Sequence, residues 1–346
     1  VITKDRYTTV AALDRENREF WPHQWVCVGN TLQLANSDDF LTATVGGKGV
    51  VVQNFDGEIR AFTNVCSHRF NRLQTDRCGN RSLVCRYHGW GYDADGLPNR
   101  IPSRPRIDNI VPSCHALERW DVRVCGTLVF VSLRPVEPLE CFLGEAGAIA
   151  EAQSLAFGEL IDTNVIDVKC NWKLFVENTL EGYHVPWVHP SSIMRLTAGS
   201  TATFGFHGRH SSVRTPVTAG RMAAVEALFS GRTYEVDDYR HLLIWPNTTL
   251  ATTKGMSFAL QLFEPVSPGE TRFTSLVFST DADVPAAAAE MFGKSVADLN
   301  RQIFAEDAEV CQHLQQGVAD AATAGILSDE EDRVRHFHDC YMRAMP

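Results

Sequence analysis

The rhythm of hydrophobic and polar positions changes twice along the chain. From about residue 25 to 133 the apolar runs are short and broken by Gly and Asp. Val50-Val51-Val52 begins one run and Thr127-Leu128-Val129-Phe130-Val131 forms another, while Asp56-Gly57 and Asp95-Gly96 supply hairpin turns. This pattern predicts short antiparallel strands. Ahead of it, Asp14 to Trp25 reads as a short helix leading into the first strand. Pro135, Pro138 and Gly144 then interrupt the pattern and mark a boundary. Beyond it come a strand at Val165-Ile166-Asp167-Val168, a helix from near Trp172 and strands through 241–280, clearest at Thr248 to Thr253 and Phe258 to Phe263. An amphipathic helix follows over 296–316, where Leu299, Ile303, Val310 and Leu314 recur at helical spacing. The expected class is α+β. Residues 1–24 form a helical segment packing with the second domain, 25–134 a small antiparallel β domain, and 135–346 the second domain.

A chain of 346 residues is too long for one ordinary core, which agrees with two domains. Its 44% hydrophobic and 21% charged residues are those of a soluble globular protein. The net charge of −10 disfavours a nucleic-acid partner, because phosphate binding needs clustered Lys and Arg. No run of eighteen apolar residues suggests a membrane span. The opening Val1-Ile2-Thr3-Lys4-Asp5 lacks the basic and apolar regions of a signal peptide. The ten Cys form no regular framework, so a cytoplasmic protein with free thiols is expected.

Two Cys-His pairs carry the first chemical signal. Cys66-Ser67-His68 and Cys85-Arg86-Tyr87-His88 offer two thiolates and two imidazoles, with sixteen residues between His68 and Cys85. This mixed set is the Rieske [2Fe–2S] pattern, in which two His replace two Cys on one iron. Taken alone it also suits a structural zinc site. Cys78 lies between the pairs but is surplus to a set of four.

The second signal is Asn171-Trp172-Lys173-Leu174-Phe175-Val176-Glu177-Asn178-Thr179-Leu180-Glu181-Gly182-Tyr183-His184-Val185-Pro186-Trp187-Val188-His189. In an unbroken helix His184 and His189 would point about 140° apart. Pro186 should kink or end the helix between them, letting both imidazoles face one ion. Glu181 would share the helical face of His184. Two His and a carboxylate make the facial triad of a non-haem Fe(II) site, with positions open for O₂. Asp307 falls near the centre of the apolar stripe of the 296–316 helix, Glu306 towards its edge and Glu309 away from it. A carboxylate on a buried face needs compensation, and a metal supplies it. Asp307 is the expected ligand, with Glu306 second. The plain alternative pairs Asp307 with Arg301.

With these residues in order, the chain resembles the α (terminal oxygenase) subunits of the Rieske non-haem iron aromatic-ring-hydroxylating oxygenases. The resemblance runs from Trp25 to the Phe337-His338 tail. It implies an antiparallel β Rieske domain and a helix-grip-like catalytic domain. Cys66, His68, Cys85 and His88 would bind the [2Fe–2S] cluster, and His184, His189 and Asp307 mononuclear Fe(II). It further implies a head-to-tail homotrimer, favoured over an α3β3 assembly, with Glu181 linking His88 of one copy to His184 of the next. Asn178 would be a pocket residue near the iron. The expected partners are O₂, a small organic substrate and an NAD(P)H-dependent reductase, acting directly or through a ferredoxin. The leading substrate expectation is aromatic or heteroaromatic. Glu rather than Asp at position 181 resembles the branch acting on quaternary ammonium compounds such as carnitine, which is the alternative. An electron carrier without catalytic iron is the reading from another class. Phe70 stands where relatives usually carry Gly after the His-Arg of the first motif, a departure that bears on the conformation of that loop and not on the ligands.

Overall fold

Short strands closed by tight turns build the smaller of two units. The computed structural model describes residues 2–102, 111–193, 202–217, 225–229, 231–282 and 284–346. The chain divides into Asn17–Phe142 and a larger unit made of the residues up to Glu16 together with Leu143–Pro346. The smaller unit holds β1 (Val26–Asn30), β2 (Asp39–Val45), β3 (Lys48–Phe55), β4 (Glu58–Thr63), β5 (Cys78–Asn80), β6 (Gly91–Tyr92), β7 (Pro98–Arg100), β8 (Arg119–Cys125) and β9 (Leu128–Ser132). Seven of them form one sheet in the order β1-β9-β8-β4-β3-β2-β5, and β6 pairs with β7. Asp56 and Gly57 both take left-handed φ values, 51° and 97°, between the paired residues Phe55 and Glu58. That is the two-residue turn that matches strand twist, and Asp-Gly is suited to it.

The expected boundaries at 24/25 and 134/135 fall elsewhere. The Arg134 N–H donates to the Pro22 carbonyl at 2.8 Å, His23 Nδ1 donates to the Arg134 carbonyl at 2.9 Å, and Trp25 Nε1 donates to the Glu137 carbonyl at 2.9 Å. These bonds tie residues 22–25 to 134–137 and draw both stretches into the smaller unit.

The larger unit opens with α1 (Asp5–Thr8) and α2 (Val10–Arg15) and resumes with α3 (Leu139–Leu143), which bridges the division, and α4 (Glu145–Ser154). Its sheet comprises β10 (Phe157–Val168), β11 (Thr203–His207), β12 (His210–Pro216), β13 (Asp238–Ile244), β14 (Thr248–Thr253), β15 (Ser257–Ser267) and β16 (Glu270–Thr280). The order is β10-β16-β15-β14-β13-β12-β11, antiparallel throughout. The helices that meet it are α5 (Trp172–Thr179), α6 (Val185–Val188), α7 (Ala286–Asp320) and α8 (Asp332–Ala344). Phe263 and Phe273 are cross-strand partners, and their rings meet Phe175 of α5 at 5.3 and 5.1 Å. Phe304 of α7 packs against Phe273 at 4.3 Å, the rings tilted by 40°. Because side chains alternate along strands, this cluster identifies the sheet face that α5 and α7 cover.

Two helix expectations change. The 35-residue α7 is longer than 296–316, and its buried positions are Gly293, Phe304, Asp307 and Cys311. Val310 and Leu314, expected in the stripe, are exposed. Phe304, wedged into the aromatic cluster one turn before Asp307, sets the rotation instead. In addition, α5 stops at Thr179, before Gly182, so Glu181 and His184 lie in a turn rather than on one helix. Pro186 sits in the first turn of α6, where its missing N–H costs no hydrogen bond. Among the described residues no helix is long and apolar enough to cross a membrane.

A buried polar network anchors α5. The Glu16 carboxylate accepts from Lys173 Nζ at 2.7 Å, Trp172 Nε1 at 2.9 Å and the Tyr341 hydroxyl at 2.6 Å. The Lys173 ammonium lies 5.1–5.5 Å from the rings of Tyr7, Trp172 and Tyr341. Burial pushes the Lys173 ammonium down, against the pull of Glu16. One turn on, Glu177 accepts from the Tyr7 hydroxyl at 2.8 Å and lies 3.1 Å from His338 Nε2. Lys173→Met leaves a buried carboxylate without its cation, and should weaken the larger unit by about 3–5 kcal/mol. Denaturant unfolding followed by Trp172 fluorescence reads this shift. Adding Glu16→Gln should recover most of the loss, and a double variant as weak as the single one would contradict it.

Candidate metal centres

Both Cys-His motifs sit on loops rooted in the core of the smaller unit. Cys66 and Cys85 are buried beside Leu73, Leu83, Trp90 and Tyr92. The two loops share one hydrogen-bond pattern. The Cys66 N–H donates to the Asn71 carbonyl and the Phe70 N–H returns to Cys66; likewise the Cys85 N–H donates to the Trp90 carbonyl and the Gly89 N–H returns to Cys85. Each loop turns on a left-handed residue four positions after its Cys, Gly89 at φ 72° and Phe70 at φ 60°. Glycine takes this conformation freely, whereas a side chain there costs about 1–2 kcal/mol. The loop geometry is therefore kept at Phe70 in spite of the substitution, and the ring stands 81% exposed.

The four motif side chains converge. The His68 and His88 rings lie 4.6 Å apart, and His68 stacks on Trp90 at 4.9 Å. Cys66 Sγ lies 3.1 Å from the Tyr92 hydroxyl, and Asn71 Nδ2 donates to Cys85 Sγ at 3.7 Å. Burial pushes the Cys66 thiol up, and the neighbouring Cys85 adds to this, while the Tyr92 bond opposes it. His68 Nδ1 is buried without a partner among the described residues. Two thiols close enough to act on each other, two imidazoles and an orphaned ring nitrogen fit a cluster held by two Cys and two His. Cys78 is exposed on β5 and is not part of this group.

In the larger unit His184, His189 and Asp307 each offer a ligand atom, all within 4.8 Å of one another. Asp307 Oδ1 lies 2.9 Å from His189 Nε2 and 3.5 Å from His184 Nε2. The opposite ring nitrogens are also engaged. His184 Nδ1 donates to Glu181 Oε1 at 2.5 Å, and His189 Nδ1 to Glu306 Oε2 at 2.6 Å. Each carboxylate thus fixes a ring so that its ε-nitrogen points at the common space, the arrangement that orients metal-bound histidines. Glu181 also accepts the backbone N–H groups of Tyr183 and His184. Glu306 is held by Ser192 Oγ at 3.0 Å and Gln302 Nε2 at 2.8 Å. Burial would lower His189, but the hydrogen bonds to Asp307 and Glu306 outweigh it and raise it. A half-enclosed set of two imidazoles and one carboxylate is the donor chemistry that a divalent iron takes.

Glu306 thus stands behind His189 rather than beside Asp307. Arg301, the plain alternative partner of Asp307, binds Asp162 at 2.6 Å and Asn164 at 3.3 Å instead. Asn178 is buried on α5, its Nδ2 unpartnered among the described residues. Sequence reading missed the polar lining. Register places Tyr239, His241, Thr249, Gln261 and Ser275 on the sheet face that carries Phe263 and Phe273. Ser275 Oγ and His241 Nε2 are buried there without partners among the described residues. A polar alternation in β13–β16 was the available signal.

Comparison with known proteins agrees with this architecture. Residues 24–114 match the Rieske [2Fe-2S] domain, and residues 159–346 match the ring hydroxylating alpha subunit (catalytic domain). Choline monooxygenase, chloroplastic, of Arabidopsis thaliana is 27% identical over 336 residues, 91% of this chain and 75% of that protein. A glycine betaine monooxygenase oxygenase subunit of Chromohalobacter salexigens is 32% identical over 185 residues, 52% of this chain; the match spans only 41% of that protein. In fold, the chain resembles the quaternary ammonium Rieske monooxygenase CntA in complex with L-carnitine, with TM-score 0.82, 19% identity, and 99% and 94% of the two chains covered. Naphthalene 1,2-dioxygenase from Rhodococcus sp. gives 0.81 at 17% identity, covering 99% and 94%. The catalytic-domain match alone covers more than half of the sequence, and with the Rieske match ahead of it the chain belongs to the ring-hydroxylating α-subunit family of Rieske oxygenases.

Proposed function

We propose that this chain is the terminal oxygenase of a Rieske system acting on a quaternary ammonium compound. The observation that carries this reading is the likeness to choline monooxygenase along 91% of the chain, where the substrate in the relative's name is such a compound. The fold does not choose between substrates, since TM-scores of 0.82 and 0.81 separate carnitine-bound CntA from naphthalene dioxygenase by almost nothing. Glu181 and the polar face of Tyr239, His241, Thr249, Gln261 and Ser275 favour a polar, charged substrate over an apolar ring. The aromatic substrate first expected thus gives way to the alternative.

Cys66, His68, Cys85 and His88 hold the [2Fe–2S] cluster, and His184, His189 and Asp307 hold Fe(II). Iron bound by two His and one carboxylate retains open positions and supplies O₂ chemistry. The protein's own part is orientation. Glu181 and Glu306 keep both imidazoles with Nε2 forward, and Asp307 supplies the negative charge. Glu181 Oε1, which accepts only His184 Nδ1, has one further lone pair with which to accept a hydrogen bond from His88 of a second copy in a homotrimer; His88 is exposed, as that role requires. An NAD(P)H-dependent reductase, directly or through a ferredoxin, supplies the electrons.

O₂ uptake and product mass, measured with a reductase and glycine betaine, choline, L-carnitine or benzoate, test the reading. Uptake coupled to product with an ammonium compound is expected; coupling with benzoate alone would reject it. Asp307→Ala should remove the mononuclear iron and leave about two Fe per two acid-labile sulfides, while Glu306→Gln should weaken Fe(II) retention by about 10- to 100-fold. Iron kept at full level in Asp307→Ala would shift the ligand to another carboxylate. Glu181→Gln should slow reductase-driven turnover at least about tenfold beyond any loss of Fe(II), because it removes the carboxylate that would join His184 to His88 of a second copy; an unchanged rate at equal iron content would remove Glu181 from the link between the two centres.

A further inference from the structure

Arg333, at the start of α8, is a guanidinium only 1% exposed. Its Nε donates to Ser211 Oγ at 3.1 Å, and its Nη2 to the Ser211 carbonyl and to His241 Nδ1, both at 3.1 Å. Its Nη1 is buried with no partner, and it forms no ion pair with a carboxylate among the described residues. A buried cation without a counter-charge is costly, and such groups are ordinarily paired.

His241 sharpens the point. Arg has no acceptor, so His241 Nδ1 must accept, and the ring proton then sits on Nε2. That Nε2–H is also buried without a partner among the described residues. Burial, and then the charge of Arg333, holds His241 well below its ordinary value and therefore neutral. Burial pushes Arg333 down to about 9, which leaves it charged at neutral pH. Two adjacent buried orphans are both donors, and one of them is a cation. What they lack is an acceptor with negative charge.

Register places His241 on the inner face of the larger sheet. His241 and Tyr239 share the face of Thr249, Gln261 and Phe263 that α5 and α7 cover. Tyr239 is acted on by the charges of both Arg333 and Asp307. The pair thus lies on the face of the sheet that is covered, at Phe263 and Phe273, by α5 and by α7, the helix that carries Asp307.

We propose that Arg333 and His241, held by Ser211, form a subsite that binds the carboxylate of the substrate. Arg333 Nη1–H and His241 Nε2–H are its two free donors. The substrate would then be a zwitterion of the betaine type rather than an amino alcohol. This deepens the proposed function and rests on its reading of the polar sheet face as favouring a charged substrate.

Isothermal titration of the cluster- and iron-loaded protein with three probes tests it. Glycine betaine carries ammonium and carboxylate, choline the ammonium alone, and benzoate a carboxylate alone. Glycine betaine should bind at least about tenfold more tightly than choline, a difference of one charge-assisted hydrogen bond or more. Arg333→Gln should weaken the carboxylate probes by about 10- to 100-fold and leave choline unchanged, with Arg333→Lys between. Choline binding as tightly as glycine betaine, or carboxylate affinity indifferent to Arg333→Gln, would overturn the subsite. The wild-type ranking decides by itself if Arg333→Gln loses the Rieske absorption and so fails to fold. Arg333-dependent binding of benzoate without glycine betaine would keep the subsite and reject the quaternary ammonium reading.

Discussion

Burying Asp307 is the constraint around which the larger unit is arranged. A carboxylate 4% exposed on the inner face of a long helix cannot stand alone in a low-dielectric interior. The chain answers by bringing two imidazoles to it, and then by placing a further carboxylate behind each ring. That ordering of charges explains several otherwise separate features. The end of α5 at Thr179 frees Glu181 and His184 to meet in a turn. Pro186 starts a short second helix that carries His189 back to the centre. Ser192 and Gln302 are needed because Glu306, partly exposed, must hold one direction.

The smaller unit solves a different problem, that of presenting four ligands from two loops at one point. It uses the same loop twice. Cys66 and Cys85 are sunk in the core, so their positions are as fixed as those of the surrounding Leu and Trp side chains. The His residues are carried outwards by a tight return of the backbone, with equivalent hydrogen bonds in both loops. Tyr92 and Asn71 each reach a sulfur, which is how a protein adjusts the electronic character of such a centre.

Much of this was legible in the sequence because its signals are local. Cys-x-His and Cys-x-x-His, the His184 and His189 pair, and the Asp-Gly turn at 56–57 each depend on residues a few positions apart. Asp307 could be singled out because a charge on an apolar stripe is conspicuous, although the stripe itself was misplaced. Val310 and Leu314 looked like core by spacing, but Phe304 and its aromatic neighbours from two other elements decide which side of α7 turns inwards. Arg333 and His241 were illegible for a related reason. Their meaning lies in a meeting of α8, β12 and β13, and no spacing within one element announces it. The role of Glu306 failed at shorter range: one position from Asp307, it points a different way because a helix turns about 100° per residue.

The division of the chain has a consequence for its synthesis. Residues 17–142 are contiguous, so the Rieske unit has its whole sequence available early on the ribosome. The catalytic unit does not. Glu16 emerges before the Rieske unit begins, yet its partners are Lys173 and Tyr341, the latter 325 positions later. Such a long loop closure is slow, and domains fold from the N-terminus as they emerge. The catalytic core must therefore be the last part to close. A chain cut short before α8 would carry a finished Rieske unit on an unfinished catalytic unit.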